Sequence, residues 1–170
     1  KKAVIRGLEY LFKAQYPNGG WPQFYPRPKG YYTQITYNDN AMLNVLLLIR
    51  KVYEKQEPYT FLPENMVEKA RKSFDLGIEC ILKTQVRING KLTVWCAQHD
   101  HVTLLPAKAR AYELPSLSGQ ESDNLVLLLM SLPSPSEEVK NAIEGAVEWF
   151  KQAKIEGLTK EYFTDSEGRK

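Results

Sequence analysis

The chain has 170 residues, of which 43% are hydrophobic and 25% charged, and its formal net charge is +3. This composition is ordinary for a soluble globular protein, and the length suits one domain with a real core, so we expect a single domain over residues 1–170. The mildly basic charge is compatible with an anionic ligand. No basic stripe typical of nucleic-acid binding occurs, and no apolar run is long enough to span a bilayer.

Hydrophobic residues recur with a helical period in five segments. The predicted helices cover residues 3–15, 40–55, 64–85, 119–131 and 136–153. Between the first two lies a loop rich in proline and aromatic residues, and residues 92–95 are predicted to form a short strand. The tail from Gly157 is predicted to be irregular. The fold class is therefore all-α.

Several helix starts carry capping signals. Asn38 or Asp39 can accept the free N–H groups at the start of the second helix. Pro63 suits the first turn of the third. Ser118 and Glu121 have the spacing of a capping box, and Ser136 is a candidate cap for the fifth helix.

The helices contain an internal repeat. The segment from Gly7 to Gln15 aligns with the segment from Gly77 to Gln85, and residues 147–151 align as a third copy. The first two copies are each followed by a loop and then by a helix that begins near an Asp-Asn pair. One repeat is thus a helix pair, which must stack on its neighbours to bury its faces. Long loops favour an α/α toroid whose loops form a groove, with a straight solenoid as the competing arrangement.

Residues 93–122 hold the densest set of chemically capable side chains. Both histidines, Trp95 and Cys96 lie in this segment, which then runs through Lys108 and Arg110. It lacks a helical or alternating apolar period, which indicates a loop. Long loops in compact domains are usually functional or disordered, and the aromatic and branched residues here argue against disorder. We interpret the segment as an ordered binding loop.

The residues Asn38-Asp39-Asn40 have two interpretations. They are either a helix cap or part of a site for a hard cation, since carboxylate and amide oxygens suit calcium. Two adjacent residues supply too few ligands, and Asp100, on the loop of the next repeat, is the natural additional one. The spacing does not match an EF-hand.

The histidines and cysteines fit no zinc spacing. His99 and His101 are expected to be loop residues that pack on Trp95 rather than ligands. Cys80 lies in an apolar helical pattern and is expected to be a buried hydrophobe. Whether Cys80 and Cys96 form a disulfide stays open.

Two further sets of residues could contact a ligand. Lys108 and Arg110 could clamp a carboxylate, or Arg110 could instead pair with Glu113 or Glu121. Several aromatic residues on the two long loops could form a surface on which sugar rings stack, although each alone is more often a packing residue. They are Trp21, Tyr25, Tyr31, Tyr32 and Trp95.

Five blocks, in this order, resemble the polysaccharide lyase family 10 pectate lyases. They are Gly19-Gly20-Trp21-Pro22-Gln23, Thr36-Tyr37-Asn38-Asp39-Asn40-Ala41-Met42, Trp95-Cys96-Ala97-Gln98-His99-Asp100, the segment from Thr103 to Glu113, and Ser118-Gly119-Gln120-Glu121-Ser122. The resemblance runs from about Gly7 to Phe150. It implies a toroid-like α/α domain that cleaves polygalacturonate by β-elimination with Ca2+ as cofactor, by removal of the C5 proton and cleavage of the C4–O bond.

Carried over residue by residue, the resemblance implies that Asp39, Asn40 and Asp100 are metal ligands. Gln98, Lys108 and Arg110 lie in matching blocks and are candidate substrate contacts, together with Trp95 among the aromatic residues. The family's catalytic arginine belongs to an aromatic-rich segment that does not occur before Lys170, and Arg169 lies in a polar tail. The expected base therefore lies beyond Lys170.

We accordingly expect an N-terminal portion of a pectate lyase catalytic domain, part of a longer protein. The resemblance implies a monomer that is secreted or periplasmic and binds neither nucleic acid nor a membrane. The missing signal peptide carries no information on compartment. The alternatives are a non-catalytic α/α domain that binds pectate in the same groove and a helical scaffold that binds protein.

Overall fold

The computed structural model describes residues 1–26 and 29–159. Five helices dominate it, and all five predicted helices are confirmed to within a few residues. They are α1 (Lys2–Ala14), α2 (Ala41–Tyr53), α3 (Glu64–Thr84), α4 (Gly119–Met130) and α5 (Glu137–Ala153). The mostly helical class is confirmed, and closure into a toroid stays a prediction. Arg27, Pro28 and the predicted irregular tail beyond residue 159, which includes Arg169, lie outside the described residues.

The core forms where the apolar faces of the helices meet. Helices α2 and α3 share the most extensive contact, α4 packs on α5, and α2 also contacts α4. Each face presents fully buried side chains at helical spacing, and burying them is the main stabilising contribution. Examples are Leu46 and Ile49 in α2, Ala70 and Ile81 in α3, Leu125 and Leu129 in α4, and Ala142 and Ala146 in α5.

The helix starts differ in how they are capped. The Ser136 Oγ accepts a hydrogen bond from the Val139 N–H at 3.3 Å, as predicted for a cap of α5. At α4, Ser118 occupies the cap position, but its hydroxyl donates to the Glu121 carboxylate and the side chain accepts no helix N–H. The predicted spacing is therefore correct, but neither capping-box bond forms, and the Ser118 N–H donates to Trp95 O instead.

Two short antiparallel pairs complete the fold. The first pairs β1 (Ile35–Thr36) with β4 (Gln98–His99). The second is a hairpin of β2 (Arg87–Ile88) and β3 (Lys91–Leu92) around a turn at residues 89–90. The strand predicted at residues 92–95 thus begins one residue earlier and ends at Leu92. Pairing continues beyond it through the bonds from Thr93 N–H to Val86 O and from Val86 N–H to Val94 O.

Equivalent glutamines confirm the internal repeat in three dimensions. Gln15 Nε2, at the end of α1, donates to Gly19 O in its own loop and to Ser73 O in α3. Gln85 Nε2, at the end of α3, donates to Thr93 O in its own loop and to Ala142 O in α5. Each glutamine therefore ties a loop to the first helix of the next repeat.

Equivalent tryptophans reinforce these ties. The Trp21 indole N–H donates to Leu11 O at 2.9 Å, and the Trp95 indole N–H donates to Ile81 O at 2.7 Å. Leu11 and Ile81 are themselves equivalent positions of the repeat, four residues before the two glutamines. The loops of both helix pairs are thus anchored by the same two types of hydrogen bond.

Both cysteines are buried and unpaired. Burial raises the pKa of the Cys80 thiol to about 12, so this residue is a small core side chain, as predicted. The possible disulfide between Cys80 and Cys96 is absent. No helix in the described part of the chain is both long and apolar enough to cross a membrane.

Candidate functional site

The turn before α2 has an unusual backbone. Asp39 and Asn40 are consecutive residues with left-handed angles, φ 54° and φ 59° respectively. Such angles are uncommon outside glycine, and Asp and Asn are the residues that tolerate them best. Two in succession are a local strain of the kind that accumulates at functional sites. This turn (Asn38–Asn40) is called the Asp39 turn below.

The Asp39 turn does not cap α2 with a side chain. Asn40 occupies the cap position, and no side chain there accepts a helix N–H. The capping role predicted for Asn38 or Asp39 is therefore wrong, because the left-handed turn directs the chain into the helix without it. Asn38 Nδ2 instead donates to Asp39 Oδ2 at 2.6 Å, and Asp39 is exposed. The carboxylate is thus held at the surface and is available to a ligand.

The side chain of Asn40 is fixed by the second helix pair. Asn124 Nδ2, in the first half of α4, donates to Asn40 Oδ1 at 2.9 Å. A carbonyl oxygen has two lone pairs, so Asn40 Oδ1 keeps one for another partner. This contact joins the corresponding positions of the two repeats.

Backbone pairing brings the Asp39 turn against the loop of the second pair. In the β1–β4 pair, Thr36 lies opposite Gln98. The N–H groups of Tyr37 and Asn38 then both donate to Ala97 O, at 2.9 and 3.0 Å. The two predicted site segments are therefore neighbours.

Asp100 follows β4 and organises its own loop. Its Oδ1 accepts hydrogen bonds from Val102 N–H at 3.0 Å, Thr103 N–H at 2.7 Å and Thr103 Oγ1 at 3.0 Å. These bonds, chiefly the one from Thr103 N–H, lower the pKa of Asp100, so the group is ionised. The Oδ2 atom takes no part in the three bonds.

The donor set suits a hard cation. Within residues 1–26 and 29–159, no three His, Cys, Asp or Glu residues group together as a metal cluster. The oxygens of Asp39, Asn40 and Asp100 are nevertheless the type that calcium prefers, and a ligand carboxylate would add more. That the three share one ion stays a prediction.

The two histidines are structural, but their partners differ from the predicted Trp95. Buried His99 donates from Nδ1 to Leu104 O at 3.0 Å and accepts the Cys96 N–H on Nε2 at 3.1 Å, which defines one neutral tautomer. Burial lowers its pKa to about 4. Its ring packs edge-on against Tyr37, whereas His101 stacks on Tyr16 at 4.8 Å.

Two of the predicted substrate contacts are buried. Trp95 has 0% exposure, and Gln98 has 8%. The ring of Trp95 lies in the core and offers no face to a sugar, so the predicted stacking role does not fit its position. Trp21, at 3% exposure, is excluded from stacking for the same reason.

The other two predicted contacts, Lys108 and Arg110, are exposed. Arg110 donates through Nε to Glu113 Oε2 at 2.9 Å and through a terminal nitrogen to Glu113 Oε1. This pairing lowers the pKa of Glu113 to about 2 and raises that of Arg110. Of the two interpretations, the Arg110–Glu113 ion pair is therefore observed, and three of the five guanidinium N–H groups remain for a ligand.

A cavity of about 450 Å³ lies beside the Asp39 turn. It is lined by Asn38, Gln98, Tyr112, Glu113, Leu114 and Ser116, among others. It thus connects the turn with the tip of the second loop, which carries Arg110. Glu113 and Asn124 were missed as site residues. The Asp-Asn pairs of the two repeats were the signal for Asn124, and the three-residue spacing from Arg110 was the signal for Glu113.

Comparison with known proteins assigns the chain to a family. The family model described as pectic acid lyase matches residues 1–170. The chain belongs to this family. Among curated proteins, no significant match is found.

Solved structures agree with the pectic acid lyase assignment. The family 10 polysaccharide lyase from Cellvibrio cellulosa is 39% identical to this chain, with a TM-score of 0.84. A mutant of that lyase in complex with trigalacturonic acid matches with the same identity and TM-score. Each alignment covers 88% of this chain and 47% of the other, so this chain spans about half the length of the lyases it matches. The predicted family is confirmed.

Proposed function

We propose that the protein containing this chain is a pectate lyase that cleaves polygalacturonate by calcium-assisted β-elimination. The Asp39 turn carries the proposal. It holds a carboxylate and an amide in consecutive left-handed positions, uses neither to cap a helix, and lies against the loop that leads to Asp100. The galacturonate trimer bound by the related lyase supports an acidic polysaccharide as substrate.

In this proposal Asp39, Asn40 and Asp100 would hold Ca2+ where the Asp39 turn meets the loop that contains Asp100. A bound divalent cation neutralises the sugar carboxylate and makes the neighbouring C5 proton more acidic. The task of this chain is positioning. Asn124 orients Asn40, and the bonds from residues 102 and 103 keep Asp100 ionised and its loop closed.

The base that removes the C5 proton is assigned to an arginine beyond Lys170, as the family resemblance implies. Arg110 is poorly suited to remove a proton, because its pairing with Glu113 stabilises the protonated guanidinium and raises its pKa. Loss of the C5 proton and cleavage of the C4–O bond then leave an unsaturated sugar. We also propose that the enzyme is a secreted or periplasmic monomer.

The test measures unsaturated product, as rising absorbance near the ultraviolet edge, when the complete protein acts on polygalacturonate at alkaline pH. We expect a steady rise with added calcium and none with a chelator. No rise with excess calcium at alkaline pH would contradict the lyase. Calcium-dependent binding of pectate without turnover would identify the non-catalytic binding domain instead.

A further inference from the structure

We propose that Phe24, Tyr31 and Tyr32, together with Arg110, form an additional subsite that binds sugar units of the polysaccharide away from the Asp39 turn. The three aromatic residues are called the aromatic shelf below. The inference rests on the proposed function, because it assumes an acidic polysaccharide as ligand. It concerns how a long chain is held rather than how it is cleaved.

The rings of the aromatic shelf pack on one another and not on the core. The ring centroids of Tyr31 and Tyr32 are 4.0 Å apart, and Phe24 meets Tyr32 edge-on at 5.2 Å. None of the three belongs to the hydrophobic core or to the residues packed against it. Phe24 remains 52% exposed. Tyr31 and Tyr32 are half-buried. A partly exposed aromatic cluster outside the core is a candidate interaction site, and the C–H faces of sugar rings pack well on aromatic surfaces.

A cation stands beside the aromatic shelf. Hydrogen bonding to Tyr32 raises the pKa of Tyr31, and the nearby Arg110 guanidinium partly opposes this rise. Glu113 holds the guanidinium through two donors, which fixes its orientation, while the Arg110 side chain stays 73% exposed. A galacturonate unit combines an apolar ring face with a carboxylate, so an aromatic surface next to an arginine matches both parts of it.

The aromatic shelf is connected to the Asp39 turn. The cavity lined by Asn38 extends to Tyr112 and Glu113, and Glu113 is bonded to Arg110. A polysaccharide that extends from the turn across this cavity would reach Arg110. Tyr31 and Tyr32 lie close to the turn along the chain, because only the short strand β1 separates them from it. We expect a trimer bound at the turn to leave the aromatic shelf unoccupied.

The test compares the affinities of the complete protein for long polygalacturonate and for trigalacturonate, with calcium present. We expect Phe24→Ala and Tyr32→Ala to weaken binding of the long polymer by about three- to tenfold, the range of one aromatic contact. Binding of the trimer should change by less than about twofold. Phe24→Trp should restore polymer binding, and Arg110→Gln should weaken it and reduce its dependence on salt.

Ile88→Ala is the matched control, because Ile88 is 47% exposed but lies on the β2–β3 hairpin, whose strand β3 packs on α5. Polymer affinities that are equal in Phe24→Ala, Tyr32→Ala and Ile88→Ala would overturn the inference. Equal losses for polymer and trimer would also overturn it, since the aromatic shelf would then act through the Asp39 turn. If the unchanged protein forms unsaturated product while these variants bind normally, only the inference fails. If it neither binds nor cleaves polygalacturonate, the proposed function fails.

Discussion

The two helix pairs share their anchoring but differ in what their loops present. In both, a glutamine at the end of the first helix and a tryptophan indole tie the loop to neighbouring backbone carbonyls. In both, an Asp-Asn pair lies near the start of the following helix. The scaffold is therefore repeated, and the difference lies in that dipeptide.

In the first pair, Asp39 and Asn40 precede α2 and both have left-handed angles. In the second pair, Asp123 and Asn124 lie inside the regular helix α4. Asn124 points its amide at Asn40. One copy of the dipeptide thus forms an exposed, strained turn, and the other supports it. The difference concerns the dipeptide alone: the first copy is placed where a ligand could reach it, and the second copy orients the first.

The largest expected effect is on activity, and it should distinguish Asp39 from Asp123. Asp39→Asn should lower lyase activity by about a hundredfold or more, because it removes one charged ligand of a site that stabilises developing negative charge. Asparagine tolerates the left-handed angle, so the melting temperature should stay nearly unchanged. Asp123→Asn is the control and should leave activity unchanged. Equal activities of the two variants in initial-rate assays would contradict the assignment.

The second prediction tests whether the tryptophan anchors are equivalent. Trp21→Phe and Trp95→Phe should each destabilise the protein by about 2 kcal/mol, since each loses one buried hydrogen bond and some ring volume. Denaturant unfolding followed by circular dichroism measures both. A large effect for one and none for the other would show that the loops are anchored differently.

The third prediction concerns the contact between the repeats. Asn124→Ala should weaken calcium binding, measured by calorimetry, by about fivefold, which corresponds to about 1 kcal/mol for one hydrogen bond. Combined with Asn40→Ala, it should have no additional effect, because the partner is already gone. Additive losses in this double-mutant cycle would mean that Asn124 does not act through Asn40.

The smallest expected effect comes from giving Gln85 the side-chain hydrogen bond that Gln15 already has. Ser73 Oγ donates to Gln15 Oε1 at 2.6 Å, whereas Ala142 holds the equivalent position and Gln85 Oε1 has no hydrogen-bond partner within the described residues. Ala142→Ser should therefore stabilise the protein by about 1 kcal/mol.

Ala146→Ser, one turn further along α5, is the control for this substitution. Ala146 is also fully buried, and no equivalent glutamine bonds to it in the described chain. The added hydroxyl should therefore destabilise the protein. A melting temperature that falls equally in both serine variants would contradict the predicted hydrogen bond to Gln85.

Much of the scaffold and part of the site could be predicted from particular residues. The helical spacing of Leu46 and Ile49 and the alignment of Gln15 with Gln85 predicted the helices and the repeat, because both are local patterns. The family blocks predicted Asp39 and Asp100 as metal ligands, and this role stays a prediction. Glu113 appeared only as one of two partners for Arg110, and Asn124 was missed as a site residue, because both contacts depend on which segments meet.

Trp21 and Trp95 show what the sequence determined and what only the tertiary structure decided. The sequence by itself determined the helix faces, the repeated helix pair and the family, because periodicity and ordered motifs are properties of consecutive residues. Only the tertiary structure decided that both tryptophans are buried anchors while Phe24, Tyr31 and Tyr32 cluster outside the core. It also decided that one Asp-Asn pair is a left-handed turn and the other a helix interior. Exposure and backbone strain follow from contacts between distant segments, which no local pattern contains.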